Sequence, residues 1–71
     1  RFMGKKLIGK WRKGCAILEV FTKDGVFYTR ESEIIDENMQ ETSSSEEFDE
    51  EGATLKDVLE FYGMSDAEKI R

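Results

Sequence analysis

With 71 residues the chain is one domain at most, close to the lower size limit for a self-sufficient hydrophobic core. Hydrophobic and charged residues each make up 38% of it, there is one cysteine, and there is no histidine. That composition excludes Ser-His-Asp and Cys-His catalysis, an internal disulfide and a structural zinc site.

The net charge of −5 joins unlike parts: residues 1–30 carry +6, residues 31–55 carry −10 and residues 56–71 carry −1. An acidic chain thus holds a basic N-terminal half. There is no Gly-rich phosphate loop, no signal-peptide core, and no apolar run near the ~20 residues a membrane span needs. A lone cysteine points to a reducing, intracellular compartment, cytoplasmic or nuclear. Carboxylates are plentiful, but a glycosidase-like pair needs a cleft for which so small a domain has little room. The expectation is a non-enzymatic protein with no cofactor and no metal.

Arg1-Phe2 ahead of Met3 reads as residues placed before a natural start at Met3, or as the edge of a piece cut from a longer protein. A stop at Arg71, inside an expected helix, favours the piece. Leu7 to Arg30 then reads as a three-stranded antiparallel β-meander. Asp24-Gly25 is a strong type I′ turn and Lys13-Gly14 a weaker one, each between runs of β-formers. The first turn pairs Phe21 with Tyr28, Val20 with Thr29 and Glu19 with Arg30. The second pairs Trp11 with Ala16, Gly9 with Leu18 and Leu7 with Val20.

One face then carries Leu7, Gly9, Trp11, Ala16, Leu18, Val20, Thr22, Phe27 and Thr29, without a charge. The other carries Lys6, Ile8, Lys10, Arg12, Cys15, Ile17, Glu19, Phe21, Tyr28 and Arg30. A one-residue slip at either turn is expected to mix the two.

Glu31 to Ile35 extend the third strand or start a short one, giving a sheet over about 5–35. Residues 36–53 are acidic and low in complexity, with Met39 and Phe48 as their only large apolar side chains, and read as a flexible loop. Thr54 then caps an amphipathic helix over 55–62, with Leu55, Val58, Leu59 and Tyr62 on its stripe, Phe61 at the stripe's edge and Gly63 as its stop. Ser65 and Glu68 form a capping box for a second short helix over 66–71. The fold class is α+β: a meander whose apolar face is covered by the 55–62 helix. In layout alone it resembles chromodomains, chromo-shadow domains and small SH3-like barrels, and no residue role follows from that.

Candidate contact residues fall in two groups. Lys6, Ile8, Lys10, Arg12, Ile17, Phe21, Tyr28 and Arg30 make a basic, aromatic outer face. An apolar patch of that size implies a partner protein or a second copy of the chain. Cations beside aromatics equally suit single-stranded nucleic acid. Glu46, Glu47, Phe48 and Asp49 form an acidic run around an aromatic, a layout that docks on basic partners or folds back over the chain's own basic face.

Four weaker signals stand beside these. Trp11 with Tyr28 or Phe27 offers an aromatic cage for a methylated lysine, against a plain core role for Trp11. Ser43 and Ser44 each have an acid three residues on, suiting an acid-directed kinase. Asp36, Asn38, Gln40 and Glu47 fit an EF-hand only in part, with Glu41 where glycine is required. Cys15 beside cations could be a reactive thiol, against a passive surface one. The reading is a small protein-interaction or regulatory module. The alternatives are a nucleic-acid binder gated by its own acidic loop, and a chromo-like reader of basic or methylated tails.

Overall fold

Two β-turns and a β-bulge in the first strand set the geometry of the meander. The structure, a computed structural model, describes residues 4–71, so the expected start at Met3 lies outside the described residues. Strands β1 (Lys6–Lys13), β2 (Ala16–Lys23) and β3 (Val26–Asp36) form the meander. Asp24 at φ 54 and Gly25 at φ 78 make the type I′ turn, and the β2–β3 pairing follows the expected register from Lys23↔Val26 to Glu19↔Arg30 and beyond.

The other turn is corrected by one residue. It is Gly14-Cys15, with positive φ only at Gly14, the type II′ pattern. Trp11 therefore pairs with Leu18 and Gly9 with Val20. The faces nonetheless survive, because sliding a two-residue loop by one position moves every pairing by two. A bulge then intervenes: Gly9 opposes Val20 but Leu7 opposes Phe21, leaving Ile8 as the extra residue. The bulge exchanges faces beyond it. Ile8 packs against the core, Leu7 moves to the outer face, and Lys6 opposes Thr22 on the helix side.

The acidic segment is not a loose loop. Asp36 accepts a hydrogen bond from the Asn38 N–H at 2.8 Å, and the chain reverses into β4 (Met39–Thr42) and then β5 (Glu46–Glu47), both antiparallel to β3. Every side chain of the two short strands is exposed, so backbone pairing rather than burial holds them. Ser32 and Thr42 add a hydroxyl pair at 3.1 Å, and Ser43 donates to the Glu31 carbonyl at 3.1 Å. The partial EF-hand is thus spread over a tight turn and two strands.

Helix α1 (Leu55–Phe61) begins at Thr54 in a capping box with Asp57. The hydrogen bonds from the Thr54 backbone and hydroxyl hold the Asp57 carboxyl below its ordinary range. It ends in a Schellman motif, Met64 N–H to the Leu59 carbonyl at 2.7 Å and Gly63 N–H to the Glu60 carbonyl at 3.1 Å, which turns Met64 into the core.

The expected second helix is instead β6 (Glu68–Lys69), paired with Trp11 and Arg12 at the free edge of β1. Six residues are too few for a stable isolated helix. Here Asp66 bonds Lys13 at 2.9 Å and the tail satisfies the Lys10 backbone on both sides.

The sheet order is β4-β3-β2-β1-β6, with β5 also on β3; it stays open and does not close into an SH3-like barrel. Trp11, Leu18 and Val20 from the sheet meet Phe48, Val58 and Met64 in one core. The molecule measures 35 × 32 × 19 Å. The short dimension holds a sheet and one helical layer, since a further layer would add about 10 Å. Thr29, 2% exposed, bonds the Tyr62 hydroxyl at 2.8 Å and ties helix to sheet. Tyr62→Phe is expected to cost about 1–3 kcal/mol in urea unfolding by leaving Thr29 without a partner, whereas pairing it with Thr29→Val recovers most of that.

Candidate functional site

The face of the sheet away from α1 is not covered by the helix and mixes aromatic with cationic side chains. Register builds it in rows. Leu7, Phe21, Tyr28 and Glu47 lie side by side across four strands; next come Lys10, Glu19 and Arg30; then Arg12, Ile17, Ser32 and Thr42. Phe21 and Tyr28, a directly opposed pair, are half-buried.

Each ring of that pair carries a cation. Arg30 lies 5.5 Å from the Phe21 centroid and Lys5 lies 4.7 Å from that of Tyr28. Arg30 also donates to Glu19 at 2.8 Å, and that bond raises its pKa above the usual arginine value. Arg12 is exposed and its Nε donates to the Gly14 carbonyl at 2.9 Å, so its guanidinium is directed to the turn. Ile17 is buried at 6% exposure although it lies on the uncovered face, between Arg12 and Ser32 in the register.

Of the residues expected on this face, Lys10, Arg12, Ile17, Phe21, Tyr28 and Arg30 do come together. Lys6 and Ile8 do not, because the bulge turns them to the helix side; Lys5 and Leu7 stand in their place. Ladder alternation alone could not place that bulge. Gly9 was its one local signal, since glycine inside a strand often marks a bulge or a close approach.

The acidic run divides. Glu47 flanks Tyr28 on the outer face, Glu46 lies opposite Thr29 on the helix side, and Asp49 is exposed. Phe48 is the correction: its N–H donates to the Phe27 carbonyl at 2.8 Å and its ring is buried in the core, so it is not a protruding anchor. Nor does this segment fold over the basic face as a gate; it runs along the opposite edge of the sheet, beyond β3.

The aromatic cage does not assemble. Trp11 and Phe27 pack in the core on the helix side while Tyr28 faces the other way, and Lys69 of the same chain already lies 5.6 Å from the Trp11 ring. Cys15 is exposed in its turn. No helix among the described residues is long and apolar enough to cross a membrane. Compared with protein-family models, curated proteins and solved structures, the chain finds no match in any of the three, which leaves its own surface chemistry as the guide to function.

Proposed function

We propose that the chain is a small non-enzymatic protein-interaction module whose main contact surface is the outer sheet face. The observation that carries this reading is the uncovered Leu7–Phe21–Tyr28 row with Lys5, Lys10 and Arg30 around it. An apolar, aromatic centre inside a charged rim is the anatomy of a binding hot spot. The cationic rim selects a partner segment that is both apolar and acidic. The exposed, unpaired thiol of Cys15 fits a reducing intracellular setting.

The aromatic and cationic side chains together favour one second reading, single-stranded nucleic acid: Lys5 and Arg30 would swing from the rings to phosphates and free Tyr28 and Phe21 to stack on bases. Salt separates the two. We expect a peptide of alternating Glu and Leu, titrated into the ¹⁵N-labelled chain, to shift the amides around Phe21 and Tyr28 and to remain bound at physiological ionic strength. Tyr28→Ala should weaken it about tenfold or more. An oligo-dT that perturbs the same amides, with affinity falling steeply as salt rises, would transfer the face to nucleic acid. Broadening of these amides with protein concentration alone would assign it to a second copy. Perturbation that bypasses the face altogether would end the proposal.

A further inference from the structure

A second surface, opposite in sign, lies where the acidic edge meets the C-terminal end of α1. It is a groove of about 430 Å³ with the buried Phe48 at its base, Phe61 and Tyr62 on the helix side, and Glu46, Glu47, Asp49 and Glu50 along the other. Phe61 is 71% exposed, the most exposed of the large apolar side chains among the described residues. It is nevertheless held in place, edge to face with Phe48 at 5.4 Å and with Tyr62 at 5.0 Å. A fixed, solvent-facing phenyl ring among carboxylates is a surface without an internal use.

Internal partners are missing as well. Tyr28, Phe21 and Trp11 each have a cation of this chain over the ring, but among the described residues Phe61 has none. The ion pairs among the described residues, Lys13–Asp66 and Arg30–Glu19, involve none of the groove's four carboxylates. Aromatic face and negative field are both present, and among the described residues no cation of this chain satisfies them.

We propose that this groove docks a basic segment of a partner protein, seating a lysine or arginine side chain against Phe61 with its charge among Glu46, Glu47, Asp49 and Glu50. The ring quadrupole attracts the cation, the carboxylates set the sign, and arginine fits best because its planar head can stack and pair at once. The proposal rests on the preceding section's premise of an interaction module and shares with that surface one residue, Glu47, which borders both; Phe61, Glu46, Asp49 and Glu50 belong to a different surface. A module with one basic and one acidic contact surface can bridge two partners of opposite charge.

A capped tetra-arginine peptide titrated into the ¹⁵N-labelled full chain tests it. Shifts should concentrate at residues 46–50 and 60–63. Phe61→Leu keeps helix propensity and apolar area but removes the ring, and should weaken binding about threefold to tenfold. Phe21→Ala should leave this affinity unchanged, just as Phe61→Leu should leave the Glu-Leu peptide unaffected, so the two surfaces succeed or fail separately. Equal shifts at Glu31, Glu33 and Glu41, or an affinity indifferent to Phe61→Leu, would reduce the groove to diffuse acidity and overturn the proposal. Shifts in the groove on raising protein concentration without peptide would assign it to the basic face of a second copy, which also overturns it.

Discussion

Phe48→Ala is expected to destabilise the domain by about 3–5 kcal/mol, the range for truncating a buried phenylalanine. A chain of this length commands about 4–10 kcal/mol in all, so the variant loses roughly a third or more of its stability and, at the low end of that range, is largely unfolded at room temperature. The size of the effect follows from placement. Phe48 sits in the same cluster as Leu18, Val20 and Val58 and touches the aromatic pair Phe61 and Tyr62. It also anchors the acidic segment, since its N–H continues the β5–β3 ladder onto Phe27. Phe48→Leu, which conserves most of the volume, should recover the greater part of the loss. Urea unfolding measures the difference, and amide exchange supplies an independent readout. The Ser43 and Phe48 amides, bonded to the Glu31 and Phe27 carbonyls, should be protected in the parent chain. A change within about 0.5 kcal/mol, with both amides exchanging freely, would mean that the segment is not docked.

The second large effect belongs to Trp11 and Gly9 as a unit. The Trp11 indole folds back over Gly9, so that a Cβ added there would lie 2.7 Å from the ring and 2.9 Å from the Lys69 stem. Lys69 can yield because it is the far end of a flexible chain; a buried indole cannot. Trp11→Ala should cost about 3–5 kcal/mol, and Gly9→Ala alone about 1–3 kcal/mol. Made in the Trp11→Ala background, Gly9→Ala should cost nothing or stabilise slightly, because the added methyl enters vacated space and alanine replaces a flexible strand glycine. That change of sign is the diagnostic result. Additive costs in a double-mutant cycle would show that the indole does not rest on Gly9.

Local chemistry accounts for the parts of this fold that were legible in the sequence. The Asp24-Gly25 turn, the β2–β3 register, the Thr54 N-cap and the Val58 stripe each depend on residues a few positions apart. So does the core role of Trp11, Leu18 and Val20, through the alternation of one sheet face. Two-residue loops also forgive an error of one position, which is why the first hairpin kept its faces while its turn moved to Gly14-Cys15.

Other features belong to the assembled molecule. The pairing of β4 and β5 with β3 has no apolar pattern to announce it, and it sets Glu33 directly across from Glu41, a like-charge contact that pattern reasoning counts against a strand. It forms because the edge of the 11-residue β3 that faces away from β2 needs hydrogen-bonding partners. The tail becomes β6 rather than a helix for the same reason at the edge of β1. The candidate surfaces divide along the same line. Strand alternation alone separates Phe21 and Tyr28 from the core, so the order of residues already places aromatics among cations in the N-terminal half. The exchange of Lys6 for Lys5 beside them, through a bulge at Ile8, and the burial of Phe48 while Phe61 stays in solvent arise only in the folded chain. Burial is settled by which surfaces meet across the fold, and no local spacing records that.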